Sequence, residues 1–185
     1  MVSLQPPVCD FGWKAHEFNL CGVDGKRYTP KNTCGKHGLL VMFICNHYPY
    51  VKSIRDRIVR DTRELLQHGI NSIAIMSNDS AEYEEDSFEN MQKIAQQYDY
   101  PFPYVWDETQ QVAKNYGAVC TPDFFGFNAQ LELQYRGRLD ASRKEAVPDV
   151  PRDLFNAMVQ IAQTGKGPLE QIASMGCSIK WKSEA

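Results

Sequence analysis

Apolar and polar positions alternate along this chain in blocks that predict strands and helices in turn. The run Leu39-Leu40-Val41-Met42-Phe43-Ile44 is apolar without a break, the pattern of a central strand covered on both faces. After Pro49 the spacing changes to Val51, Ile54, Ile58, Leu65 and Leu66, a helical stripe that Gly69 ends. A second buried strand is predicted over 70–76. A helix over 87–98 follows, with Phe88, Met91 and Ile94 on one side. A short strand at 104–106, a helix over 109–116, an antiparallel pair formed by 123–127 and 131–136, and a closing helix over 153–164 complete the order. Nearer the start, 18–21 and 26–28 flank Val23-Asp24-Gly25, and an Asp-Gly pair between extended runs predicts a β-hairpin. Strands joined by helices specify the α/β class, with a central mixed sheet between helices. The domain proper is expected over 18–164, with an irregular arm at 1–17 and an extended tail at 165–185 packed on it.

Composition narrows the choice of chemistry. The chain has 185 residues, 43% hydrophobic and 23% charged, with a net charge of -3. That size and balance suit one globular domain. Its longest apolar run is far shorter than the roughly 20 residues of a spanning helix, so no membrane partner is expected. Lys and Arg are spread among Asp and Glu, so no nucleic-acid partner is expected either. The first residues show no basic start and apolar core, and the cytoplasm is the expected location. Six cysteines in a domain large enough to build its own core do not make a disulfide framework. They read instead as catalysts, metal ligands or core filler.

Two places stand out. Cys45 lies where the buried strand gives way to a helix, and the first amides of a helix lack internal acceptors and carry partial positive charge. A thiolate there is stabilised, which predicts a reactive cysteine of lowered pKa. The plainer reading is that Cys45 extends the apolar strand. The second place is Cys120-Thr121-Pro122-Asp123-Phe124-Phe125. Pro122 cannot donate to a ladder and so starts or edges a strand; the isomer of the Thr121-Pro122 bond is open at this point.

Other residues carry weaker signals. His47 could tune Cys45 or act as a local acid, or stand exposed without contact. Tyr48 could offer a hydroxyl or shield the site. Arg136 and Arg138 could hold an anion but read more simply as surface residues at a strand end. Cys34 with His37 and Cys45 with His47 form two ligand pairs. The strand between them rises about 3.3 Å per residue, which keeps them too far apart for one zinc ion, so no metal and no cofactor are expected. The acidic run 82–86 reads as a solvated loop in which Asp86 or Ser87 caps the next helix.

Four stretches together carry a resemblance. They are Phe43-Ile44-Cys45-Asn46-His47-Tyr48-Pro49-Tyr50-Val51-Lys52, Cys120-Thr121-Pro122-Asp123-Phe124-Phe125, Tyr135-Arg136-Gly137-Arg138-Leu139-Asp140 and Gly176-Cys177-Ser178-Ile179-Lys180-Trp181-Lys182. In that order they resemble the thioredoxin-like proteins of the alkyl hydroperoxide reductase/thiol-specific antioxidant superfamily, across about residues 8–182. The resemblance implies a thioredoxin-like fold and a thiol-disulfide oxidoreductase with Cys45 as nucleophile. It also implies a cis Pro122, and substrate contacts from Thr121, Pro122, His47, Tyr48 and Pro49. The substrate would be a disulfide or oxidised thiol, and the reductant an external thiol.

The family's helix start carries a Cys-x-x-Cys pair, and Tyr48 stands here at its second cysteine. Release of a mixed disulfide then falls to an external thiol or to Cys120, which the fold brings beside the helix start; a Cys45–Cys120 bond needs Cα atoms within about 7 Å. Two other functions are open: a non-catalytic module holding an extended peptide in the cis-proline groove, which the loss of the paired cysteine would leave, and a thiol peroxidase using Cys45, against which the same loss counts. The resemblance puts the peroxidase cysteine at the position Tyr48 occupies. It assigns no role to Cys177.

Overall fold

The uninterrupted apolar run from Leu39 forms the middle of the molecule because both of its faces are covered. In the computed structural model, which describes residues 3–6 and 9–183, the strands are β1 Ser3–Leu4, β2 Leu20–Gly22, β3 Arg27–Tyr28, β4 Gly38–Phe43, β5 Ile70–Met76, β6 Tyr104–Trp106, β7 Cys120–Thr121, β8 Asp123–Asn128, β9 Leu133–Arg136 and β10 Gly176–Ser178. The helices are α1 Pro30–Thr33, α2 Pro49–Leu65, α3 Phe88–Gln97, α4 Gln111–Tyr116 and α5 Asp153–Thr164. Residues 1–2 and 7–8 of the expected arm and 184–185 of the expected tail lie outside the described residues.

The main sheet runs β3-β2-β6-β5-β4-β8-β9. β4, β5 and β6 are parallel, and the outer pairings are antiparallel. Alternate residues of β4 serve opposite faces. Leu40 and Met42 pack with Val51, Ile54 and Ile58 of α2, Met91 of α3, and Leu154, Met158 and Ile161 of α5. Leu39, Val41 and Phe43 pack on the other face with Phe18, Phe125, Phe127, and Val112 and Tyr116 of α4. The chain is thus a central mixed sheet between helical layers, the thioredoxin-like α/β arrangement.

Three boundaries differ from the sequence expectation for identifiable reasons. α4 begins at Gln111 rather than Thr109, because the Asp107 carboxylate accepts from the amides of Val112 and Ala113 and so caps the helix from four residues upstream. β9 begins at Leu133, since Leu131 sits at φ 58 and closes the turn on the Asn128 carbonyl. The aperiodic tail contains a strand. β10 pairs with both β1 and β7 in a second sheet of order β1-β10-β7, built from the two ends of the chain and the segment before Pro122.

Candidate active site

β4 ends at Phe43 and α2 begins at Pro49, leaving Ile44 to Tyr48 as a bridge. Pro49 occupies the first turn, where a missing N–H costs nothing. Tyr48 is the N-cap residue but provides no side-chain cap, so the amides at this junction are left for other acceptors. Those of His47 and Tyr48 interact with Cys45 Sγ, as does the Thr121 hydroxyl at 3.4 Å.

These contacts do not lower the thiol's pKa as expected. Cys45 is 0% exposed, and burial, followed by the nearby Asp86 carboxylate, pushes it up to about 12 from 9.0. Desolvation of the anion outweighs two amides and a hydroxyl. At neutral pH the resting sulfur is a protonated thiol.

Asp86 corrects two expectations at once. Of the two candidate caps it is Ser87 that caps α3, accepting from the Asn90 amide, and Glu82, Glu84 and Glu85 are exposed as a solvated loop should be; Asp86 does neither. Asp86 is fully buried beneath the junction. Oδ1 accepts from the amides of Asn46 (2.7 Å) and His47 (3.2 Å), and Oδ2 accepts from Asn78 Nδ2 (2.9 Å) and meets His47 Nδ1. His47 therefore does not stand exposed. Its side chain is 11% exposed, and its ring stacks on Tyr83 at 4.1 Å between centroids and 10° between planes.

Cys45, His47 and Asp86 bring ligand-type atoms within 4.8 Å of one another. The four contacts on Asp86 already use its lone pairs, so the arrangement reads as a hydrogen-bonded network rather than an ion cradle. The sequence pointed to Asp86 only as a possible helix cap and not as part of the site. Its signal was two consecutive amides at 46 and 47 that needed an acceptor, a need visible only once the chain is folded.

Across from the junction, the Thr121-Pro122 peptide is cis. Thr121 turns its hydroxyl to Cys45. Its strand neighbour Cys120 is also buried, donates to the Pro122 carbonyl (3.8 Å), and is pushed by burial up to about 12. Successive side chains of a strand alternate, so it is Thr121 and not Cys120 that meets the Cys45 sulfur. The main-chain edge of β7, which the peptide-binding reading needs, is already paired with β10.

In that pairing Cys177 lies directly opposite Thr121, and Tyr48, 2% exposed, hydrogen-bonds Cys177. Burial and this bond hold the Tyr48 hydroxyl in its protonated form, so it donates to the sulfur. Sequence reasoning left Cys177 without a role; its register opposite Thr121 supplies the missing position. Cys177 is partly exposed and borders an opening of about 230 Å³ shared with Ser3, Tyr50, Lys144, Met175 and Gly176.

The tail is anchored below the site as well. Asn78, while donating to Asp86, accepts from the Lys180 amide at 2.9 Å, and Lys180 Nζ lies 5.2 Å from the Tyr48 ring centre. Arg136 is not at the surface. It is 7% exposed and pairs with buried Asp123 at 2.9 Å, while burial still pushes the Asp123 carboxyl up to about 6. Arg138 pairs with Asp153 at the start of α5. Cys34 and His37 precede β4 and Cys45 and His47 follow it, so the strand separates the two ligand pairs as expected.

The AhpC/TSA family profile matches residues 11–138. A crystal structure of an uncharacterized conserved protein from Geobacillus kaustophilus is similar over 100% of this chain and 99% of its own, with 40% identity and a TM-score of 0.93. A hypothetical protein from Sinorhizobium meliloti is similar over 97% of this chain and 99% of its own, with 34% identity and a TM-score of 0.91. The thioredoxin domain of a thiol-disulfide oxidoreductase from Bacteroides vulgatus shares the fold at 15% identity, with a TM-score of 0.62 over 82% of this chain and 97% of its own. A search of curated proteins finds no match. Among the described residues no helix is long and apolar enough to cross a membrane.

Proposed function

The chain belongs to the AhpC/TSA family, and from that premise we propose that it is a thiol-disulfide oxidoreductase of thioredoxin-like type whose chemistry turns on Cys45. Its substrate is a disulfide or an oxidised thiol, and its reductant is an external thiol such as glutathione. The observation that carries this reading is the position of one sulfur: Cys45 Sγ lies at the start of α2, against the amides of His47 and Tyr48 and the hydroxyl that precedes the cis proline. Those donors stabilise a thiolate once it forms, and the two amides among them are fixed by the backbone beforehand. Forming it is the costly step, because the thiol is buried. A His47 or Asp86 ligand atom lies within 4.8 Å of the sulfur, and His47, held by Asp86, is placed to take the proton as an imidazolium paired with a carboxylate. A reducing compartment such as the cytoplasm keeps a site of this kind in its thiol form.

The test is turnover of a small aromatic disulfide with glutathione as reductant, comparing the wild-type protein with Cys45→Ser. Turnover should be slow in the wild type and lost in the variant. Equal turnover in both, with circular dichroism confirming that both are folded, would sink the proposal. Hydrogen peroxide consumption by the two proteins in the same buffer separates disulfide exchange from peroxidase chemistry.

A further inference from the structure

We infer that Cys177 is the second redox sulfur of this protein: it receives the substrate, and Cys45 resolves it by forming a Cys45–Cys177 disulfide. This deepens the proposed function and rests on it. Three observations converge on the pair. First, Cys177 is the cross-strand partner of Thr121, and side chains directly opposite in an antiparallel pair lie on the same face with Cβ atoms about 4.5–5.5 Å apart. The Thr121 hydroxyl is itself 3.4 Å from Cys45 Sγ, so one threonine touches the space between the two sulfurs.

Second, position 48 is where a Cys-x-x-Cys pair would carry its second thiol. The side chain there reaches instead to Cys177, donating its hydroxyl to that sulfur. The partner lost from the local sequence is thereby replaced by one delivered on the tail. Third, accessibility divides the labour. Cys45 is 0% exposed, whereas Cys177 is partly exposed at the rim of an apolar opening lined by Tyr50 and Met175, with Lys144 at its edge. An incoming disulfide can meet Cys177 without unfolding anything; it cannot meet Cys45.

The sequence of bonds is as follows. The Cys177 thiolate attacks one sulfur of the substrate disulfide, forming a mixed disulfide and releasing the first substrate thiol, which takes up the proton Cys177 gave. Cys45 then attacks Cys177 Sγ, breaking the mixed disulfide and releasing the second substrate thiol with the proton from Cys45. The substrate disulfide has gained two electrons and two protons, and the protein has lost them as the Cys45–Cys177 bond. Two equivalents of an external monothiol return the pair to the dithiol and leave as their own disulfide. The ring of Tyr50 and the side chain of Met175 at the rim favour substrates whose disulfide is flanked by an apolar group, and Lys144 favours one that also carries a carboxylate.

The full-length protein oxidised with glutathione disulfide tests this. Cys45, Cys120 and Cys177 fall in three different tryptic peptides, 37–52, 115–136 and 167–180, so mass spectrometry without reduction reads the linkage directly. The expected product joins 37–52 to 167–180. The expected Cys45→Ser variant retains glutathione on Cys177, and the expected Cys177→Ser variant carries none on Cys45 and loses turnover as completely as Cys45→Ser. A 37–52 to 115–136 linkage, or glutathione on Cys45 in Cys177→Ser, would overturn the pairing. Full turnover in Cys177→Ser with none in Cys45→Ser overturns the pairing alone. Full turnover in Cys45→Ser overturns the proposed function beneath it.

Discussion

Asp86 acts on Cys45 in two opposing ways. Its oxygens hold the Asn46 and His47 amides and so fix the backbone from which the sulfur hangs, yet its charge makes a neighbouring thiolate less favourable. Asp86→Asn should separate the two effects. Replacing the carboxylate leaves one acceptor oxygen where two served four contacts, and stability should fall by about 1–3 kcal/mol, the usual cost of leaving a buried donor unsatisfied. Removing the charge should at the same time bring the Cys45 pKa down, so its alkylation at pH 9 should speed up in a protein that melts earlier. Unchanged alkylation in the folded variant would show that the carboxylate does not reach the sulfur electrostatically. Cys45 itself was legible as the notable sulfur from the strand-to-helix change around it. Its acidity was not, because its surroundings include side chains that arrive from positions 86 and 121, and desolvation is the larger effect.

At the scale of elements, the ends of β8 and β9 are held by the buried Asp123–Arg136 pair. Arg136→Ala leaves a buried carboxylate without its partner, a change that typically costs about 3–5 kcal/mol. Asp123 holds its proton more tightly in the folded chain, about 6 against 3.8, so its neutral form contributes stability below the lower value and that contribution is lost as pH rises through the higher one. The deficit of Arg136→Ala should therefore be smaller at pH 5 than at pH 8 in urea melts; a pH-independent deficit would contradict it. β10 offers a second test. A Cβ on Gly176 would stand 2.3 Å from the Thr121 carbonyl oxygen and 3.0 Å from the Pro122 nitrogen, both backbone atoms that have little room to move. Gly176→Ala should cost about 1–3 kcal/mol through overpacking and should release the tail strand, read as faster amide exchange over 176–179. Elements with continuous apolar runs or a helical stripe, such as β4, β5 and α2, were legible from sequence. β10 was not: three residues carry no period, and its partners lie more than fifty positions away or at the opposite end of the chain.

For the molecule as a whole, two buried thiols make alkali a specific denaturant. Burial moves both Cys45 and Cys120 from 9.0 to about 12, so between those values the unfolded chain gives up protons that the native one keeps. Stability from these groups is intact below pH 9 and is lost progressively toward pH 12. The urea midpoint should decline over that range more steeply in the wild type than in a Cys45→Ala, Cys120→Ala double variant, and parallel declines would count against it. The overall α/β order was readable because each layer of the sheet repeats a strand-then-helix pattern. The second sheet was hidden, since it joins three segments that no local pattern connects.

That second sheet also bears on which partners the proposed exchange would suit. An extended protein segment could pair with β7 only by displacing residues 176–178, and Cys177 would leave with them. A low-molecular-weight disulfide leaves the strand where it is, so small cargo is the better match: labelling of Cys177 by glutathione disulfide should outpace labelling by a protein disulfide of equal reactivity, and the reverse order would show that the strand gives way readily.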